Sequence, residues 1–158
     1  MLAGIGVDVP VTPLKGQIIR LNAPGPPIKI SLWWDENYAT MKPDGLLWAG
    51  TTEEETGFDD STTAGARDSI IGSVVEMLPY LEDAQLVQQT ACLRPVTPDR
   101  APIIDAELES GPDGLVIVTG AGRNGIMLGP AMGKAAAALA TGAQSPIDVS
   151  AFSLARFS

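Results

Sequence analysis

An apolar run, Leu115-Val116-Ile117-Val118-Thr119, ends in the glycine series Gly120-Ala121-Gly122-Arg123-Asn124-Gly125 and passes straight into a helical pattern from Ile126 to Ala140. Glycines at these spacings let a backbone approach a ligand closely. The helix start behind them offers N–H groups without intrahelical partners and the positive end of a helix dipole. A dinucleotide cradle has this look, but it also needs a second parallel strand after the helix, with an acidic residue at its end for the ribose hydroxyls. Eighteen residues follow Ala140, and Ile147-Asp148-Val149-Ser150, set between Pro146 and Phe152, is too short for a central strand. The series therefore reads as a strand and a ligand-facing turn outside a standard βαβ unit.

Size and charge narrow the chemistry. A chain of 158 residues, 45% hydrophobic, can bury a core. Ten Lys and Arg against nineteen Asp and Glu give a net charge of −9, and no basic run interrupts the acidic balance, so neither nucleic acid nor an anionic membrane is an expected partner. The single cysteine, Cys92, cannot close an internal disulfide, and the absence of histidine removes the commonest metal ligand and general base. No metal site is expected. No apolar run reaches the roughly eighteen residues of a membrane span, and no basic segment precedes an apolar one at the start, which makes cytoplasm the expected compartment.

Periodicity and turn residues predict an α+β fold. Pro13 to Leu21 reads as a strand, and Ile28 to Trp34, Asn37 to Met41 and Leu46 to Thr51 read as a meander turning at Asp35-Glu36 and at Lys42 to Gly45. The acidic Thr51 to Phe58 stretch leaves the sheet. Ser61 or Thr62 then caps a helix with Ile70, Ile71, Val74, Val75 and Leu78 on its apolar face, ended by Pro79. Gln85 to Leu93 alternates as another strand until Arg94-Pro95-Val96-Thr97-Pro98 breaks the pattern, and Pro98 to Pro102 is a constrained loop. Ile103 to Asp105 and Leu115 to Thr119 are two further strands around the polar turn Glu109 to Gly114. In the final helix Gly129, Gly133, Ala136, Ala137 and Ala140 permit close packing, while Pro130 either marks its true start or kinks it.

Without histidine, any reaction here needs carboxylates, arginine, tyrosine or a cofactor. Arg94, held between an apolar strand and a proline, has the setting for a bidentate grip on a carboxylate, or for a structural salt bridge, for example to Asp99. Arg123 projects from the glycine turn as an anion-binding or a solvated arginine. Tyr38, among Trp33, Trp34 and Trp48, offers a phenol to a ligand or serves as a sheet aromatic.

Four segments in order, Pro13 to Gln17, Leu46 to Thr52, Leu93 to Ile103 and Gly120 to Pro130, resemble the FAD-dependent amino-acid oxidase superfamily over nearly the whole chain, closest to its glycine oxidase branch of thiamine biosynthesis. The late segments follow that branch's patterns G-L-R-P-x-T-x-D-x-x-P-x-I and G-H-x-R-N-G-I-x-L-x-P. The resemblance implies an antiparallel substrate sheet with a covering helix in residues 1–92, and in residues 93–158 an incomplete piece of the FAD domain whose strands and helix pack onto the rest of it. The Rossmann segment with which the family begins would lie outside this sequence.

The resemblance further implies that Arg94 pairs with the substrate carboxylate, that Arg123 is a second substrate-side arginine, and that Tyr38 is the active-site tyrosine of the sheet. Ala121, Gly122, Arg123, Asn124, Gly125, Ile126 and Met127 match the segment that contacts FAD. The implied reaction holds a small amino acid or amine neutral over the flavin, passes hydride to it, and releases an imine that hydrolyses, with no protein base. Ala121 stands where the family carries a histidine near the flavin edge, which leaves oxygen or another carrier as the electron acceptor. An amino-acid dehydrogenase of the same superfamily and a noncatalytic binding or assembly module are the alternatives. Apolar surface left by an absent cofactor domain makes self-association into a homo-oligomer an expectation.

Overall fold

The computed structural model describes residue 4, residues 6–108 and residues 111–158. It divides into two compact units, Leu14–Leu93 and the described residues of Met1–Pro13 with Arg94–Ser158.

The first unit is built on a five-stranded sheet. Strands β1 (Thr12–Asn22), β2 (Leu32–Trp34), β3 (Asn37–Met41), β4 (Leu47–Gly50) and β5 (Gln85–Val96) lie in the order β2-β3-β4-β1-β5. Antiparallel pairing places Ala39 opposite Ala49, Ala49 opposite Ile19, and Leu21 opposite Leu47. Because side chains alternate across a strand, these residues share one face. That face carries helix α1 (Ala64–Met77), whose Ile70 and Val74 join Ile19, Leu21, Ala39, Leu47, Ala49 and Leu81 in one buried cluster. Thr63, rather than Ser61 or Thr62, caps the helix, accepting from the Ala66 N–H. The other face presents the row Trp33, Tyr38, Gly50 and Ile18.

A polar knot ties β1 to the segment that enters α1. The Lys15 ammonium, with its side chain 1% exposed, lies 3.4 Å from Glu54 and 3.2 Å from Asp59, and donates to the Ser61 carbonyl. The Gln17 side chain donates to Glu54 and accepts from the Thr63 N–H and from Gln89. A buried amide and ammonium are tolerable because their polar atoms find partners. Hydrogen bonds from Ser61 and the Lys15 ammonium hold the Asp59 carboxyl at about 2, below its ordinary 3.8. A depressed folded-state value means that Asp59 contributes stability above pH 3.8, and that this contribution is lost as pH falls toward 2. The melting temperature, followed by circular dichroism, is expected to drop across that window. Asp59→Asn should lower it at neutral pH and flatten its acid dependence; an unaltered acid profile would remove Asp59 from the account.

Two expectations are corrected here, and one of the two readings of Pro130 is excluded. The first strand of the meander begins at Leu32, not Ile28, so the stretch after Pro26-Pro27 stays outside the sheet. Strand β5 continues through Arg94 and Pro95 to Val96 instead of breaking there. It is an edge strand, where a proline's missing N–H need not interrupt a ladder. Helix α2 (Gly125–Ala140) starts ahead of Pro130 and runs through it.

In the second unit β6 (Ile103–Asp105) and β7 (Ile117–Thr119) pair antiparallel, with Ile104 opposite Val118. Of the turn expected between them, Glu109 and Ser110 lie outside the described residues, and β7 begins two residues after Leu115. One face of the hairpin packs Ile104 and Val118 with Ala121, Met132 and Ala135, the last two from α2. The other packs Ile103 and Ile117 against Val7, Leu154 and Phe157. Asp105, 6% exposed, accepts from the Ser153 hydroxyl at 2.8 Å and from the Leu154 and Glu107 N–H groups. Burial alone would raise its pKa, but these donors outweigh it and the carboxyl sits below its ordinary value.

Candidate functional site

The glycine turn owes its shape to conformations that side chains resist. Gly120 has φ +80°, and a Cβ there would come within 2.6 Å of the Thr97 methyl. Gly122, at φ +51°, lies against Val96. A β-bridge joins Val96 to Ala121, so Arg94 on β5 and Arg123 on the turn each stand two residues from a bridged position. Both arginines are half-buried. Residues Gly122–Asn124 form one 3-10 turn, closed by Asn124 N–H donating to the Ala121 carbonyl, and lead without a break into α2. The Gly125 N–H bonds to the Gly122 carbonyl, and no side chain caps α2. Ile126 and Met127, in its first turn, are 96% and 73% exposed.

The Ala121 side chain is buried in the hairpin–helix cluster with Ile104, Met132 and Ala135. Among the described residues no strand follows α2, and β7 runs antiparallel to its neighbour, which sets the turn apart from a Rossmann fingerprint. Tyr38 belongs to the other unit. It stands on β3 between Trp33 and Gly50, its ring centroid 5.4 Å from that of Trp33 at a 44° tilt. Among the described residues no cluster of three or more Cys, Asp or Glu could hold a metal ion, and no helix is long and apolar enough to cross a membrane.

Asp99, a partner suggested for Arg94, is engaged by Arg156. Its carboxylate is gripped by Arg156, Nε to Oδ2 at 2.8 Å and Nη2 to Oδ1 at 3.2 Å, which holds it well below the usual carboxylate range. Sequence reasoning missed Arg156 and gave no role to Lys15 or Gln17, although both lie in a segment singled out as a motif.

One unit is an antiparallel sheet backed by a helix, and the other is a hairpin-and-helix unit whose glycine turn carries Arg123 and is bridged to the strand of Arg94, an α+β architecture. Residues 1–139 match the family described as FAD dependent oxidoreductase (DAO), and the chain belongs to it. It is 36% identical to glycine oxidase of Pseudomonas putida over 148 residues, 94% of this chain and 40% of that protein. The crystal structure of glycine oxidase from Geobacillus kaustophilus superposes with a TM-score of 0.89 at 28% identity, covering 97% of this chain and 41% of that one. That of iminodiacetate oxidase from Chelativorans sp. BNC1 gives a TM-score of 0.88 at 29% identity, over 96% and 42%. The chain thus spans about 40% of the length of the curated glycine oxidases it resembles.

Proposed function

We propose that this chain is the substrate-facing part of an FAD-dependent oxidoreductase that oxidatively deaminates glycine or a similarly small amino acid or amine. In this reading residues 1–92 provide the substrate sheet and helix, and residues 93–158 a segment of the FAD-binding domain. The observation that carries it is the Gly120–Asn124 turn, tied by the Val96–Ala121 bridge to the strand of Arg94 and followed by a helix start that no side chain caps. The likeness to glycine and iminodiacetate oxidases supports the substrate class.

The residues present fit a flavin. Gly122 keeps side-chain bulk off the turn, the α2 start favours negative charge, and Ile126 and Met127 offer exposed apolar surface to a ring. Backbone and side chains of residues 121–127 would hold it, and bound FAD supplies a two-electron acceptor for hydride. Arg94 grips the substrate carboxylate as a charge-assisted fork and Arg123 adds a second cation, while Tyr38, on the sheet of the other unit, is the active-site tyrosine of this reading. Fixing the carboxylate fixes the carbon next to it, so the chain's work is orientation. The amine enters neutral and leaves as an imine that water hydrolyses, which asks for no histidine in a chain that has none.

Anaerobic mixing of the FAD-loaded protein with glycine, sarcosine or iminodiacetate is expected to bleach the flavin's visible absorption with at least one of them. A flavin that stays oxidised with every small amino acid and amine tried would reject the proposal.

A further inference from the structure

Arg156 uses every donor it has. Beyond the paired contacts to Asp99, Nη2 donates to the Ala101 carbonyl at 2.9 Å, and Nη1 to the Phe152 and Ser153 carbonyls at 2.9 and 3.0 Å. With Nε these account for all five N–H groups of a guanidinium. The group also lies 4.2 Å from the Phe157 ring centroid. On the other side Asp99 accepts from the Ala101 N–H, the Thr97 hydroxyl donates to the Ala101 carbonyl at 2.7 Å, and the Arg100 N–H donates to the Thr97 carbonyl. Residues 97–101 are thereby closed into one turn, and Thr97, 2% exposed, presents its methyl to Gly120.

These contacts form a continuous series. Arg156 fixes Asp99, Asp99 and Ala101 fix Thr97, and Thr97 backs the glycine turn, while Val96 joins the strand of Arg94 to Ala121. Arg156 lies beyond the residues that match the family. We infer that Arg156, acting through Asp99, is a positioning residue that holds Arg94 and residues 121–127 in one frame for a carboxylate ligand over the flavin. This rests on the function proposed above.

The test is a titration of the FAD-loaded protein with glycolate, a small carboxylate that cannot be deaminated, read as a shift in the flavin spectrum. It is run well below the melting temperature of every variant. Arg156→Ala is expected to weaken glycolate by about tenfold or more, since small misplacements of a binding group are costly. Asp99→Asn, which keeps the shape and loses the charge pair, should do the same and decides the matter if the first variant does not fold. Arg156→Lys restores the charge but only three of the five donors, and should recover part of the loss. Variants that melt earlier yet bind glycolate as the unaltered protein does would overturn the inference and leave the proposed function standing. An unaltered protein whose flavin spectrum ignores glycolate would overturn the inference, and the function falls with it only if no small amino acid or amine bleaches the flavin.

Discussion

Replacing Arg94 with alanine in the FAD-loaded protein is expected to lower kcat/KM for a small amino acid by about a hundredfold or more, chiefly through KM. A carboxylate moved from water into a half-enclosed site needs a compensating charge. Truncating one partner of a hydrogen-bonded charge pair typically costs about 2–5 kcal/mol, and each 1.4 kcal/mol is about a factor of ten. Lysine is a poor substitute, because an ammonium cannot reproduce the planar fork of a guanidinium. Steady-state kinetics with the best substrate measures the effect. Kinetics that match the unaltered protein would remove Arg94 from the site.

The second large effect is on folding. Gly120→Ala places a methyl 2.6 Å from the Thr97 side chain at a backbone angle of +80° that residues with a Cβ rarely adopt. A left-handed non-glycine residue costs about 1–3 kcal/mol and overpacking a similar amount. The melting temperature should fall by roughly 10 °C, at about 2–4 °C per kcal/mol for a chain of this size. Gly129→Ala is the control, since a Cβ there meets nothing within 4 Å. In a helix the change from glycine to alanine is neutral or stabilising. Equal melting temperatures for the two variants would show that the turn tolerates a side chain at position 120.

How far the sequence foretells this fold depends on the range of the forces involved. Strand β3, Asn37–Met41, is legible because a period of two sits between turn residues, and the Ile70 and Val74 face of α1 is legible from a period of 3.6 ended by a proline. Strand β5 running through Pro95 is not, since tolerance of a proline there comes from an edge position that only the assembled sheet defines. The passage of α2 through Pro130 is likewise decided by packing, Met132 and Ala135 being buried beyond it. Lys15 in an alternating strand looks solvent-facing, yet it is buried because carboxylates at positions 54 and 59 come back to meet it. The Asp99–Arg156 pair, 57 residues apart, leaves no periodic trace at all.

The site was legible in a different way. The glycine turn announces itself by composition, but the roles given to Arg94, Arg123 and Tyr38 came from resemblance, because no local pattern tells a substrate arginine from a structural one. What the structure adds is the Val96–Ala121 bridge that ties the strand of one arginine to the turn of the other.

The central claim is that these residues build part of a flavin site. It is tested most directly by the visible absorption spectrum of the polypeptide that carries this chain in the cell, recorded after incubation with FAD and desalting. The account predicts flavin bands that stay with the protein. A folded protein left colourless by that treatment would contradict it.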